Sequence, residues 1–257
     1  MAREHIAAGA DLIVVAGGDG TINEAAEGMI AAHTVGAGVP LAILPVGTAN
    51  VLATEMKLGS NLENVARRLG EFRPMRISVG HVTCGADQVS RHFLLMAGVG
   101  LDAHVVYKVN AALKAKTGKF AYWVAGWSLL GRRLPEFEVE IGGMRRQCSF
   151  ALLTKVRNYG GDFEIARTVS LLDDKFEVIL FEGATATRYV KYFAGMALNR
   201  LAGMRGVTVL HTDQVVIAAP KNSRAHIQID GELGGTLPAE IQIVPNALTL
   251  LVPETYR

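Results

Sequence analysis

The chain has 257 residues, of which 50% are hydrophobic, and its formal net charge at pH 7 is +2. This length can bury one large core or two modest ones, and the near-neutral charge argues against a nucleic-acid partner. Cys84 and Cys148 have no CxxC spacing, which favours buried free thiols over a disulfide or a metal framework. The N-terminus is charged at once and lacks the apolar stretch of a signal peptide. We therefore expect a cytoplasmic protein.

The first 73 residues alternate between strand and helix patterns. Residues 12–15 are short, apolar and rich in β-branched side chains, which predicts a buried strand. The elements predicted to follow are a helix at 21–32, a strand at 41–44 and helices at 48–57 and 61–69, the last capped by Asn61. Strict alternation is typical of a parallel sheet with crossover helices. We interpret residues 1–73 as a nucleotide-binding α/β lobe.

After Pro74 the pattern changes to strands separated by hairpin turns such as Gly142-Gly143. The predicted strands are 75–84, 93–97, 137–141, 148–156, 176–181, 207–218, 225–229, 239–244 and 248–252. Two helical stretches, 103–130 and 186–201, interrupt this series. Residues 74–257 are therefore predicted to form a second, mostly antiparallel β lobe, and a ligand is expected where the two lobes meet.

A glycine-rich turn follows the first predicted strand. In Gly17-Gly18-Asp19-Gly20-Thr21, Thr21 with Glu24 fits a capping box at the start of a helix. A strand that runs through glycines into a helix N-terminus presents unpaired N–H groups, which suits nucleotide phosphates. Asp19 would repel a phosphate unless it held Mg²⁺, a cation that prefers oxygen ligands. A tight turn without any ligand remains the alternative for these residues taken alone.

Two further motifs carry polar groups at strand ends. In the segment 45–50, Gly47 and Thr48 again follow a strand, so Thr48 is expected beside the first glycine-rich turn in a parallel sheet. Near the C-terminus, Asp230-Gly231-Glu232 delivers two carboxylates after a strand. An ordinary Asp-Gly hairpin turn is the alternative interpretation of that last motif.

Taken together, these three motifs resemble the diacylglycerol kinase catalytic-domain family. The nearest likeness is to its bacterial soluble lipid kinases, which are related to sphingosine and ceramide kinases. The resemblance covers nearly the whole chain in the right order, whereas the glycine-aspartate loop alone also resembles phosphofructokinases and NAD kinases. It implies a partial Rossmann-like parallel α/β/α lobe, then a mostly antiparallel β-sandwich lobe, with the active site in the cleft between them.

The resemblance also implies roles for particular residues. Asp19 matches the essential aspartate at the catalytic Mg²⁺, and Glu232 matches the proposed general base that takes the proton of a lipid hydroxyl. A second, structural Mg²⁺ would be bound by the Asp174 side chain and the backbone carbonyls of Leu171 and Phe176, although a polar turn is the alternative there. The residues expected to contact ATP are Gly17, Gly18, Asp19, Gly20, Thr21, Ile22, Asn23 and Thr48.

Three features depart from the family pattern. Many relatives have an aspartate where this chain has Val51, and the family usually has glycine at the position of Lys175. Relatives also carry a strand, an Asn-Pro phosphate loop and a further α/β unit ahead of the glycine-aspartate loop. We therefore expect an N-terminally truncated member that binds ATP weakly. An unpaired sheet edge would favour a homodimer through this lobe, or poor solubility.

Two acid-free segments suggest a membrane surface. Residues 103–135 contain both tryptophans and several lysines and arginines, and residues 183–212 place Arg188 and Lys191 around Tyr189, Tyr192 and Phe193. Basic residues beside aromatic helix faces suit peripheral contact with anionic lipid headgroups. The alternative is that the aromatic side chains belong to the core and the cations face solvent.

These observations predict an ATP- and Mg²⁺-dependent lipid kinase that phosphorylates a hydroxyl of a diacylglycerol-like lipid. A soluble nucleotide or sugar kinase with a similar glycine-aspartate loop is the first alternative. A catalytically weak lipid-binding protein is the second alternative.

Overall fold

The computed structural model describes residues 1–32, 38–100, 134–159, 163–197, 200–220 and 223–256. Its helices are α1 (Ala2–Ala7), α2 (Asp19–Ala31), α3 (Val51–Glu55), α4 (Leu62–Arg68) and α5 (Ala186–Ala197), with a 3₁₀ turn at Leu69–Glu71. Its longer strands are β1 (Ile13–Gly17), β2 (Leu41–Pro45), β3 (Arg73–Cys84), β4 (Val89–Phe93), β5 (Met96–Gly100), β6 (Phe137–Ile141), β7 (Met144–Cys148), β8 (Phe150–Thr154), β11 (Phe176–Phe181), β12 (Val207–Thr212), β13 (Gln214–Ile217), β14 (His226–Ile229), β15 (Glu232–Thr236) and β16 (Ala239–Val252). The pair β9 (Asn158–Tyr159) and β10 (Phe163–Glu164) forms a short ribbon. The predicted helix at 103–130 lies outside the described residues.

The last strand, β16, joins the two parts of the chain in one mixed sheet. It pairs antiparallel with β3 along its length and with β13 through its first residues, and parallel with β2 through Leu250 and Leu41. β1 lies parallel to β2, as the alternating pattern predicts. The sheet therefore continues across the proposed lobe boundary after residue 73, and that boundary stays a prediction.

A second sheet, in the order β12-β11-β8-β5-β14-β15, is entirely antiparallel and is buried on both faces at its centre. Alternate side chains face opposite sides of a strand. In β11, Phe176 and Val178 pack in the core between the two sheets, whereas Ile179 and Phe181 pack in the core that includes the helices. The predicted class, an α/β lobe followed by a β-sandwich lobe, is therefore confirmed.

The structure corrects several predicted strand boundaries. The predicted strand 93–97 is broken between β4 and β5, because the N–H groups of Leu94 and Leu95 bind the Asp230 carboxylate. The stretch 207–218 forms two strands, and β7 and β15 were not predicted. Conversely, the strands predicted at 239–244 and 248–252 form the single strand β16 with a bulge.

The predicted helix starts also shift. α2 begins at Asp19, with extended Gly18 as its N-cap and no side-chain cap, so the predicted capping box of Thr21 and Glu24 is wrong. The helix predicted at 48–57 spans only Val51–Glu55, because Asn50 adopts the left-handed conformation with φ of 46°. The cap by Asn61 is confirmed, since its side chain accepts the N–H of Asn64 at 3.0 Å.

The first strand is not fully buried as predicted. Leu12 and Val14 are exposed, while Ile13 and Val15 pack against the core. Within the described residues β1 pairs only with β2, which leaves its other edge open. Cys84 and Cys148 are buried free thiols, as predicted.

Candidate active site between the two parts of the chain

The glycine-rich turn leads from β1 directly into the N-terminus of α2. The first N–H groups of a helix have no partner within it, and those of Asp19, Gly20 and Thr21 occupy these positions in α2. The N–H of Ile22 already donates to the Gly18 carbonyl at 3.0 Å. Anions are favoured at such a helix end.

The predicted nucleotide-contacting residues separate into two sets. Gly17, Gly18, Asp19, Gly20 and Thr21 line the turn, and Thr21 packs over Gly17, where a Cβ would lie 2.7 Å from the Thr21 Cβ. Ile22 and Asn23 are buried in the helix instead. The Asn23 Oδ1 has no hydrogen-bond partner among the described residues, and the contact of these two residues with ATP stays a prediction.

The second predicted motif touches the first by direct backbone contact. A Cβ on Gly47 would lie 2.4 Å from the Cα of Gly18, so only glycine permits this approach. The Asn50 side chain closes the turn by accepting the N–H of Gly47 at 2.9 Å and donating to its carbonyl at 2.8 Å. Thr48 is exposed in this turn, beside the glycine-rich loop as expected, but it does not begin a helix.

Asp19 is held by the N-terminus of α3. Its Oδ2 accepts the N–H of Val51 at 3.0 Å, and its Oδ1 accepts the N–H of Leu52 at 3.1 Å. The N-terminus of α3 therefore binds the Asp19 carboxylate directly. These two bonds fix the orientation of the carboxylate while leaving each oxygen a further lone pair.

Asp230 and Gly231 form the two-residue turn between β14 and β15, with φ of 48° and 84°. The hairpin interpretation of this motif is therefore confirmed. The Asp230 carboxylate accepts three N–H groups, from Leu94 at 2.9 Å, Leu95 at 3.0 Å and Met96 at 2.9 Å. Burial, together with the smaller effect of the Asp19 charge, raises the pKa of Asp230 to about 6, although the three N–H donors act to lower it.

Glu232 lies against the N-terminus of α2, although the two are far apart in sequence. A Cβ on Gly20 would be 3.0 Å from Oε1 of Glu232, so the carboxylate occupies the space beside that glycine. Oε2 is 3.5 Å from Nη2 of Arg91, and 48% of the Glu232 side chain is exposed. Unlike Asp230, this carboxylate accepts no backbone hydrogen bond that the structure describes.

Asp19 offers a divalent cation one oriented carboxylate, while the described residues contain no cluster of three or more His, Cys, Asp or Glu side chains that would complete a metal site. Asp19 and Asp230 are close enough for the charge of one to raise the pKa of the other. A cation between or beside such carboxylates would relieve that repulsion, and oxygen atoms are its preferred ligands. Asp19 is thus the residue that would hold Mg²⁺ here.

The predicted second metal loop presents a different arrangement. Leu171 and Phe176 are buried, and one oxygen of Asp174 accepts the hydroxyl of Ser78. The ammonium group of buried Lys155 donates to the backbone carbonyl of Asp173 in the same loop. Burial lowers the pKa of Lys155 to about 8, and the charges of Asp173 and Asp174 oppose that shift. A divalent cation in this loop would be repelled by the positive charge of the Lys155 ammonium group, which already binds the loop. These residues therefore do not fit the predicted Mg²⁺.

Two segments of the chain are predicted to rest on lipid. Residues 103–133, with both tryptophans, lie outside the described residues. On α5, Tyr189 and Tyr192 are buried against Phe150 and Phe181, so the interpretation of these tyrosines as membrane-facing is wrong. The cations at 188, 191, 200 and 205 are exposed. No helix in the described part of the chain is long and apolar enough to cross a membrane.

Two family sequence profiles match the chain in succession. The profile described as "Diacylglycerol kinase catalytic domain" matches residues 1–82, and "YegS C-terminal NAD kinase beta sandwich-like domain" matches residues 96–252. The chain belongs to the family in which a diacylglycerol kinase catalytic domain is followed by a YegS C-terminal NAD kinase beta sandwich-like domain. Membership in this kinase family implies a nucleotide substrate.

Individual relatives agree with the family assignment. The diacylglycerol kinase of Bacillus subtilis (strain 168) is 29% identical over 252 residues, which cover 95% of this chain and 78% of the relative. That of Mycobacterium tuberculosis (strain ATCC 25618 / H37Rv) is 25% identical over 253 residues, covering 96% and 79%. A solved diacylglycerol kinase structure from Bacillus anthracis str. Sterne matches with a TM-score of 0.76 at 19% identity, covering 98% of this chain and 82% of that one. This last likeness concerns the fold alone.

Sequence reasoning missed two charged residues whose partners are distant in sequence. Arg91, on β4, pairs with Glu232, and nothing in its local sequence indicates that partner. Lys155 was also missed, although a lysine within the otherwise apolar run 148–156 is a visible signal of a buried charge.

Proposed function

We propose that this protein is an ATP- and Mg²⁺-dependent lipid kinase that phosphorylates a hydroxyl of a diacylglycerol-like lipid. The observation that carries the proposal is the approach of Glu232 to Gly20, which brings a half-exposed carboxylate to the helix end where Asp19 lies. Phosphoryl transfer needs mainly positioning and electrostatic stabilisation. A few side chains around a helix N-terminus are therefore chemically sufficient.

In this proposal each part of the site has one task. The free N–H groups of Asp19, Gly20 and Thr21 bind nucleotide phosphates, assisted by the exposed hydroxyl of Thr48. Asp19, oriented by α3, holds Mg²⁺, which when bound neutralises charge on the phosphates. The Glu232 carboxylate accepts the proton of the attacking lipid hydroxyl, and Arg91 keeps that carboxylate in position.

The lipid acceptor is proposed from the family and from the surface charge. Relatives are named diacylglycerol kinase, and cations at 188, 191, 200 and 205 are exposed beside and beyond α5. Each lysine or arginine near an anionic membrane is worth roughly 1 kcal/mol. These residues would let the protein work at the surface where its substrate resides.

The test is transfer of labelled γ-phosphate from ATP to diacylglycerol in mixed micelles. We expect label in the lipid fraction only when Mg²⁺ is present, and none with Asp19→Asn. Transfer to a soluble nucleotide or sugar but not to lipid would favour the soluble-kinase alternative. ATP binding without transfer to any acceptor would favour the lipid-binding alternative.

A further inference from the structure

Lys155 follows β8 and is fully buried, with 0% of its surface exposed. Its backbone N–H donates to the Leu95 carbonyl at 2.8 Å, and its ammonium group donates to the Asp173 carbonyl. A buried ammonium is strongly unfavourable unless oxygen acceptors and anionic groups surround it. The loop 170–176 supplies both.

The loop is organised around charges that balance one another. Asp173 closes it by accepting the N–H of Ser170 at 2.8 Å, and Asp174 is tied to β3 by the hydroxyl of Ser78. The negative charges of both aspartates act on Lys155. Lys175, the next residue along the chain, is exposed. Hard divalent cations prefer oxygen ligands, and in this loop an ammonium group already binds the Asp173 carbonyl.

We propose that the Lys155 ammonium group takes the place of a structural Mg²⁺ in the loop 170–176. The ammonium binds the loop from its buried side, where it secures a backbone carbonyl and offsets the aspartates. The same residue is bonded to Leu95, whose own N–H binds Asp230. Lys155 thus connects the loop to the turn that carries Glu232 without any metal ion.

The test compares the whole chain with and without Mg²⁺, in the absence of nucleotide and lipid. We expect any change of the wild-type melting midpoint on adding EDTA or millimolar Mg²⁺ to be the same in Asp174→Asn, because an ion at Asp19 acts on both proteins equally. Lys155→Gln keeps a hydrogen-bond donor but removes the charge, and we expect it to lower the midpoint by several degrees. Mg²⁺ should then restore part of that loss, and Asp174→Asn in the same background should abolish the restoration. Lys175→Gln is the matched control, and we expect it to behave like the wild type because that lysine is exposed.

Counting bound Mn²⁺ by electron paramagnetic resonance keeps the proposal testable if Lys155→Gln does not fold. Ions bound at Asp19 are subtracted by comparison with Asp174→Asn, which changes only the loop. Equal Mn²⁺ binding by the wild type and Asp174→Asn would support the proposal. One Mn²⁺ lost in Asp174→Asn would overturn it, as would a wild-type midpoint that rises with Mg²⁺ only when Asp174 is present. Neither measurement requires kinase activity, so its outcome is independent of the proposed function.

Discussion

Asp230 and Glu232 are two residues apart, yet their surroundings differ completely. Both carboxylate oxygens of Asp230 accept hydrogen bonds, from the backbone N–H groups of Leu94, Leu95 and Met96. Glu232 has only an exposed ion pair at 3.5 Å and faces the glycine-rich turn. Of the two, Glu232 is therefore the carboxylate free to accept a proton, and Asp230 is the one that shapes the turn.

Glu232→Gln preserves the shape of the side chain and removes its basicity. General-base assistance is typically worth on the order of 10²–10⁴-fold, so we expect kcat to fall within that range while the KM for ATP changes little. Steady-state kinetics with diacylglycerol micelles measures both. Asp230→Asn should instead lower the melting midpoint, because an amide nitrogen would face backbone donors. Near-normal kcat for Glu232→Gln, together with a folded but inactive Asp230→Asn, would assign the base to Asp230.

A substitution at Gly47 tests whether stability and ATP binding depend on the close approach of Gly47 to Gly18. A Cβ there would lie 2.4 Å from the Gly18 Cα, which is backbone and cannot move aside cheaply. We expect Gly47→Ala to lower both the melting midpoint and ATP affinity, measured by calorimetry. Gly28→Ala is the matched control, because its nearest neighbour would be at 3.5 Å and the site is helical. Alanine there should stabilise the helix by roughly 0.5–1 kcal/mol. Equal effects of the two substitutions would contradict this account.

At the scale of elements, the five-residue helix α3 links the site to the C-terminus. Its first N–H groups bind Asp19, and at its last residue Glu55 accepts the Tyr256 hydroxyl at 3.1 Å and the Arg157 N–H at 2.9 Å. The Tyr256 oxygen in turn accepts the N–H of Leu171 at 3.1 Å. Burial raises the pKa of Tyr256 to about 12, so the hydroxyl remains a donor at neutral pH. A helix this short is held by such contacts rather than by its own propensity.

Tyr256→Phe removes the hydroxyl and leaves a buried carboxylate and a buried N–H short of a partner. Buried groups deprived of a partner cost about 1–3 kcal/mol each, so we expect a clear loss of unfolding free energy in urea titrations. Because α3 orients Asp19, the KM for the nucleotide should rise as well. Glu63→Gln, which breaks only the exposed pair with Arg67, should change stability little. If Tyr256→Phe changed neither the free energy of unfolding nor the KM for the nucleotide, α3 would not depend on these hydrogen bonds.

For the whole molecule, β16 decides how the two parts of the chain are arranged. Pairing with β2 and β3 joins the first and second parts of the chain in one sheet, and Glu232, after the Asp230 hairpin, lies beside Gly20 in the glycine-rich turn. The open edge of β1 and exposed Val14 are consistent with the predicted homodimer, which stays a prediction. The exposed cations of α5 and the following loop form a separate surface.

That surface predicts how the protein binds vesicles. Lys191→Glu with Arg205→Glu reverses two exposed charges, and we expect weaker sedimentation with anionic phospholipid vesicles. The difference between the variant and the wild type should shrink in high salt, because screening shortens the reach of surface charges. Arg67→Glu on α4 is the control for a change of net charge elsewhere. Equal binding by all three proteins would remove α5 from the membrane-facing surface.

Local sequence patterns determined much of the framework. Short-range rules account for the glycine-rich turn between a strand and a helix and for the Asn61 cap. They also account for the Gly142-Gly143 hairpin, with φ of 56° and 81°, and for the bounds of β6 and β11. The motifs and their order were also sufficient to recognise the family. Each of these features depends on residues within a few positions of one another.

Only the tertiary structure decided what the polar residues contact. Contacts between distant parts of the chain place these groups. Asp19 accepts hydrogen bonds from the N-terminus of α3, and Glu232 lies beside Gly20. Tyr189, Tyr192 and Lys155 are buried. A sequence pattern specifies which side of an element is apolar, but several such surfaces compete for the same core. Which of them pack together depends on the whole arrangement of β16 and the two sheets, and that arrangement also separates the role of Glu232 from that of Asp230.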